Sequence, residues 1–343
     1  MLRCPGLVWG VLALSVGATA VRAQDEEKVL TLYTHRHYEA DKQLYSKFQE
    51  LTGIEVKALE LKVDDLLKRV EAEGEACPAD VLVTVDAGRL VLGATKGVFQ
   101  KTSSAALERD VPVELRDPEG RWFALTMRAR VIACSRERVA EGAVKTYADL
   151  AKPEWKGKLL ARKSDSLYNQ SLVAGMIAHD GPEAALAWVQ GMVANFARDP
   201  KGNDRDQVKA IAAGEGDLAL VNTYYLGMML ASDNEAEREA AKAVRLVFPD
   251  QEGRGTHVNV SGAGVALHAK HPKNAVAFIE FLVGAEAQKH IAQAIHEYPV
   301  RAGVERSALL AGWGDFKRDA LPVQKLGELN AKAVEILAAA GWK

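Results

Sequence analysis

The chain has 343 residues, 48% of them hydrophobic and 26% charged, with a formal net charge of −2. That length suffices for two lobes of ordinary size, and the composition is that of a soluble globular protein. A charge so near zero gives no electrostatic case for a nucleic-acid partner.

The first 23 residues, MLRCPGLVWGVLALSVGATAVRA, carry a basic Arg3, an apolar run from Leu7 to Val16 and small residues up to Ala23. This is the pattern of a secretory signal peptide cleaved after Ala23, and its apolar run is too short for a good membrane span. Cys4 precedes that run, where a lipid-attachment cysteine does not lie. A soluble exported protein is expected, with a charge of about −4 once Arg3 and Arg22 are removed.

KVLTLYT then reads as a buried strand, followed by the helix EADKQLYSKFQELTG with Leu44, Phe48 and Leu51 at helical spacing and Gly53 as its stop. The strand IEVKALEL, the helix VDDLLKRVEAEG, the strand ADVLVTV and the helix AGRLVLGATKG continue the alternation. Such alternation predicts a parallel α/β sheet with right-handed crossovers, whose ligands sit beyond the carboxyl ends of the strands. From Arg121 the pattern restarts. RWFALT and ARVIACS read as two strands with no helix between them, which suits a passage from one lobe to another. NQSLVAGMIAHD and PEAALAWVQGMVANF are helical, DLALVNTYY and AVRLVFPD are strands, and the extended VNVSGAGVALHA can carry the chain back. PKNAVAFIEFLVGAEAQKHIAQAI and ELNAKAVEILAAA are helical. AEREAAK reads as a solvated helix face. The expected architecture is two lobes joined by crossing strands. Cys77 and Cys134 read as two isolated buried thiols rather than a disulfide pair.

Three motifs stand at element ends. THRHY places His35, His37 and Tyr38 at a strand end, with both histidines on one strand face, where such a pair can bind zinc or simply lie at the surface. SLYNQSL puts Tyr168 just before a helix whose start is marked by Asn169. NTYYLGMM places Tyr224 and Tyr225 after the strand DLALV. Successive strand residues face opposite ways, so both phenols can serve one ligand only if the backbone leaves strand geometry, and LGMML is suited to begin a helix there. The alternative is one ring in the core and one at the surface. No GxSxG, HExxH or Walker A motif is present, and SGAGVA lacks the third glycine of a dinucleotide fingerprint.

These stretches resemble the iron(III)-binding solute receptors of bacterial ABC importers, the ferric-ion-binding proteins. LYTHRHYEADKQLYSKFQELTGIEV, EGEACPADVLVTVDAGRL, YNQSLVAGMI, NTYYLGMM, VNVSGAGVALHAKHPKNAVAFIEFL and HEYPV carry the likeness across essentially all of the mature chain. It is nearest to the subgroup that holds iron with tyrosines and one histidine. The resemblance implies a type II periplasmic-binding-protein fold, α/β and two-lobed, each lobe a mixed sheet flanked by helices with hinge strands between. The lobes would comprise residues 24–126 with 257–303, and 127–256 with 304–343. It implies a periplasmic monomer that is not an enzyme and that delivers iron to an inner-membrane ABC permease. The implied metal ligands are His37, Tyr38, Tyr168, Tyr224 and Tyr225. Some relatives add a carboxylate from the strand ADVLVTV, but the matching position here is Val85, with Asp86 beside it. In some relatives an arginine also holds a small anion on the metal.

The chemistry of the residues agrees with Fe(3+). A phenol is neutral near pH 7 and must lose its proton to bind a metal, which a hard trivalent cation can drive several times over. Zinc and copper sites favour histidine and cysteine instead. Nearby cations hold phenolates ionised, and Arg36, Arg128 and Arg130 are candidates. A receptor for another small solute (a polyamine, a thiamine-like molecule or an oxyanion) is the runner-up, since fold alone does not give function. An exported metal-dependent hydrolase using His35, His37 and Asp86 is a further alternative.

Overall fold

The structure is a computed structural model that describes residues 1–2 and 27–343. The expected signal peptide, Cys4 included, lies outside the described residues but for its first two positions.

The chain begins with β1 (Val29–Thr34), α1 (Glu39–Thr52), β2 (Glu55–Glu60), α2 (Val63–Glu73), β3 (Val81–Thr84) and α3 (Ala87–Thr95). β1 pairs in parallel with β2 on one side and β3 on the other, as the alternation predicts. In α1, Leu44 and Phe48 are buried and Phe48 packs edge-on to Phe278 at 5.0 Å, but Leu51 is 64% exposed. Gly53 closes the helix with a left-handed φ of 73° and an N–H to Gln49 O.

A short α4 (Ala105–Asp110) leads to β4 (Phe123–Ser135), whose 13 residues are all buried. β5 (Leu159–Leu160), α5 (Leu167–Asp180), α6 (Pro182–Ala194), α7 (Asp204–Ala212), β6 (Leu218–Asn222), α8 (Thr223–Leu230), α9 (Glu235–Lys242) and β7 (Val244–Val247) follow. The last stretch comprises β8 (Val258–Val265), α10 (Pro272–Val283), α11 (Ala285–Ala294), β9 (Tyr298–Pro299), α12 (Ala308–Gly312), α13 (Gln324–Glu328) and α14 (Asn330–Ala339).

Among the described residues the nine strands form one sheet in the order β2-β1-β3-β8-β4-β6-β5, with β7 and β9 also on β4. RWFALT and ARVIACS are therefore one strand. Its two ends have different partners: Phe123 to Ala129 pair with β8, and Arg130 to Cys134 with β6, both antiparallel. The change of partner divides the sheet into two halves, and β8 enters beside it, with the Arg130 amide donating to His257 O at 2.9 Å. The long helical stretch after Pro272 breaks into α10 and α11 at Gly284, whose ψ of 153° is extended. α13 packs on both α3 and α5, so the C-terminal segment touches both halves. Gly327 permits this, because a Cβ there would lie 2.3 Å from Val91 Cβ. Cys77 and Cys134 are both free and buried, in agreement with the reading of isolated thiols.

Candidate metal centre

β1 stops at Thr34, so His35 and His37 lie on a loop, not on one strand face as the sequence suggested. Arg36 causes the change. Its backbone N–H donates to Thr34 Oγ1 at 2.9 Å, and its side chain turns inward, 4% exposed. There Nη2 donates to Asp41 Oδ1 and Nη1 to Glu297 Oε2, each at 2.9 Å. Nη1 also reaches Ser261 Oγ at 3.1 Å, on β8. With Arg36 pinned inward, His37 is exposed and stacks on Tyr38 with ring centroids 5.2 Å apart. Tyr38 is half-buried over the Arg36 guanidinium at 5.4 Å. His35 is tied to the end of β2 through Nδ1 and Leu61 O at 3.0 Å.

The other three tyrosines stand in first turns of helices. Tyr168 is the second residue of α5, so the helix begins before it rather than after, with Ser166 as the N-cap. Asn169 does not start the helix. Its Oδ1 accepts from Arg130 Nη2 at 2.9 Å, and its amide donates to Lys163 O at 3.1 Å. α8 likewise starts at Thr223, ahead of the tyrosine pair instead of behind it. Asn222 fixes that point: its N–H donates to Asp204 Oδ2 at 2.7 Å and its side-chain oxygen accepts from Arg130. Tyr224 and Tyr225 are thus neighbours on one helical turn, with ring centroids 4.2 Å apart and planes 30° apart. A helix N-terminus favours negative charge, which suits a phenolate at all three positions.

All four phenols converge. The Tyr168 and Tyr224 hydroxyls lie 3.2 Å apart, and Tyr38 and Tyr225 stand close enough to Tyr224 to act on it electrostatically. Around Tyr168 stand the guanidiniums of Arg162, Arg128 and Arg130, at 5.2, 5.6 and 5.8 Å from its ring. Asp204, fully buried, carries two of them: Arg130 at 2.7 Å and Arg162 at 3.1 Å. Asp204, Arg162 and Glu297 escape a reading of the sequence alone. Asp204 belongs to the run GNDRD, which signals only a helix start.

A cavity of about 370 Å³ opens over this cluster, lined by His35, His37, Tyr38, Val85, Tyr168 and Tyr225 among others. Burial pushes the phenols of Tyr38, Tyr224 and Tyr225 well above the ordinary tyrosine value. Neighbouring phenols push Tyr224 and Tyr225 the same way, while Arg128 opposes the rise at Tyr224. In the metal-free site Tyr38, Tyr224 and Tyr225 are therefore neutral hydroxyls, and a cation must displace their protons to bind them.

Asp86 is not part of this group. It caps α3 through the Gly88 N–H at 2.7 Å and accepts from Ser171 Oγ at 2.7 Å and from the Asn259 amide at 2.6 Å, while Val85 faces the cavity. The triad His35, His37 and Asp86 does not converge. Among the described residues no group of three or more His, Cys, Asp or Glu side chains is arranged to hold a metal.

Residues 78–311 match a family described as bacterial extracellular solute-binding protein. The chain is 49% identical over 318 residues to "Iron uptake protein A1" of Synechocystis sp., covering 93% of this chain and 88% of that one. It is 30% identical over 333 residues to the "Fe(3+)-binding periplasmic protein" of Serratia marcescens, covering 96% and 94%. Among solved structures, a Trichodesmium protein in complex with iron and citrate ligands superposes with a TM-score of 0.89 at 44% identity, covering 92% of this chain and all of that one.

Proposed function

The chain belongs to the bacterial extracellular solute-binding protein family, and from that membership we propose that it is the ferric-iron receptor of an ABC importer. The clustering of four tyrosines carries the reading, three of them lining one cavity and Tyr224 hydrogen-bonded to Tyr168 behind it, since a hard trivalent cation is the ligand that such oxygens suit. The proposed ligands are His37, Tyr38, Tyr168, Tyr224 and Tyr225. Transport rather than catalysis is what the names of its relatives support.

His37 and Tyr38 belong to the half of the sheet built on β1, and the three other tyrosines to the half built on β6. Iron then bridges two lobes, made of residues 24–126 with 257–303 and 127–256 with 304–343. β4 and β8 act as the hinge. The full ligand set exists only when the lobes meet, so iron stabilises the closed form in proportion to its preference for it. The closed monomer, exported to the periplasm behind a cleaved signal peptide, is the form an inner-membrane permease would take up.

Titrating the metal-free protein with iron(III) beside a competing chelator tests this. The expected result is a visible phenolate-to-iron charge-transfer band that saturates at one equivalent. Colourless protein that retains the iron would overturn the phenolate set. Protein that retains zinc in preference to iron(III) would overturn the ligand.

A further inference from the structure

We infer that His296 is a positioning residue of the metal centre: it sets helix α8, which carries Tyr224 and Tyr225, against the loop that carries His37 and Tyr38. The inference rests on the iron(III) reading above. His296 has a left-handed φ of 55°, one of two such values outside glycine among the described residues. A residue with a Cβ is strained in that region and stays there only where its surroundings hold it. The side chain is buried and makes two contacts. Its Cβ, Cγ and Cδ2 lie against Gly227 of α8, where an added Cβ would meet them at 2.7, 2.9 and 3.1 Å. Its Nδ1 meets the hydroxyl of Ser307, the N-cap of α12, at 3.0 Å.

The residues that follow His296 tie its backbone to the other half of the sheet. Glu297, also buried, accepts from Arg36 Nη1 at 2.9 Å, and Arg36 directly precedes His37 and Tyr38. Tyr298 and Pro299 form β9 and pair with Met127 and Thr126, in the part of β4 that runs beside β8. His296 therefore stands on backbone anchored to the β1 half, while its ring lies on a helix of the β6 half. Two adjacent residues reach the supports of both ligand groups. Glycine at 296 would relieve the backbone and give up the contact with α8, so the strain is kept for the sake of the side chain. A shift of α8 moves the Tyr224 and Tyr225 oxygens together, and a metal centre tolerates little misplacement of its ligands.

Asparagine separates positioning from imidazole chemistry. His296→Asn keeps Cβ, Cγ and a polar atom at the δ position, and asparagine tolerates a left-handed φ. His296→Gly removes the side chain and leaves the backbone at ease. By chelator competition His296→Gly should bind iron(III) about tenfold more weakly, the scale of coupling between residues in contact. Its charge-transfer band should shift as well, while His296→Asn stays close to wild type in both. In a Tyr224→Phe background the loss from His296→Gly should shrink, because one of the two displaced oxygens is already gone. An undiminished loss there would place the effect away from α8 and overturn the inference. His296→Asn as weak as His296→Gly would show that the imidazole itself is used, and overturn it. A lower melting temperature in His296→Gly, with affinity and band unchanged, would show a packing residue and overturn it too. Wild-type protein that takes up no iron(III) would defeat the iron reading alone. Amide exchange along α8 of the metal-free protein then decides: faster exchange in His296→Gly but not in His296→Asn supports the inference, and equal exchange in all three overturns it.

Discussion

Removal of a single phenolic oxygen distinguishes a metal ligand from a packed ring. Tyr224→Phe and Tyr225→Phe keep the aromatic contact of 4.2 Å between the two rings. Each is expected to weaken iron(III) binding by roughly a hundredfold or more, a few kcal/mol for a lost coordination position, measured by competition with nitrilotriacetate. The melting temperature of the metal-free protein should move little, since the lost hydrogen bond between phenols is worth about 1 kcal/mol. The same side chains set a pH dependence. Tyr38, Tyr224 and Tyr225 have folded values raised above the unfolded value of about 10, mainly by burial. Their neutral state stabilises the fold fully below pH ~10, and that contribution is lost as pH rises beyond it, because the unfolded chain ionises first. Thermal melts of the metal-free protein should therefore show falling stability above pH ~10, less steeply in the two Phe variants. For the loaded protein the sign reverses, since added protons compete with iron for the oxygens and retention weakens as pH falls.

At the scale of elements, the helix that carries the tyrosine pair is held from two sides. Thr223 opens α8, Tyr224 and Tyr225 follow it, and Gly227 completes the turn. Gly227 packs on His296, where an added Cβ would come within 2.7 Å of His296 Cβ. Gly227→Ala should push α8 away from His296, at about 1–3 kcal/mol of overpacking, and is expected to lower both the melting temperature and iron affinity. On the other side Asp204 joins α7 to the start of α8 and to two arginines. Asp204→Asn leaves the buried Arg130 guanidinium and the half-buried Arg162 guanidinium without their carboxylate and is expected to cost about 3–5 kcal/mol, seen as a large fall in the thermal midpoint of the metal-free protein.

These contacts also mark what the sequence made legible. Period and punctuation locate β1, α1 and α3, and the tyrosines can be found because they stand at element ends. The joins between elements are harder to read. β4 resembles two strands because nothing local says that one strand changes partners at Arg130. The start of α8 falls ahead of the tyrosines, not behind them, because Asp204 holds the Asn222 amide from 18 residues away in the chain. Leu51 fits the helical spacing of α1, yet no partner element reaches it, and it is 64% exposed. Long-range polar partners such as Asp204 and Glu297 leave no periodic trace, so the layer of charge behind the phenols becomes visible only in three dimensions.

On the scale of the whole molecule, the two free cysteines lie in different halves. Cys77 precedes β3 and Cys134 sits near the far end of β4, paired with β6 and β7. Both are buried, and burial pushes the Cys134 thiol up to about 12 and raises that of Cys77 as well, so neither should react while its half stays folded. Each thiol is therefore a built-in clock for its own half: the rate at which a sulfhydryl reagent modifies it reports local opening there. If iron binds as proposed, loading a chain that lacks the leader should slow both clocks together, whereas a metal held by one half alone would slow one and leave the other running at its metal-free rate.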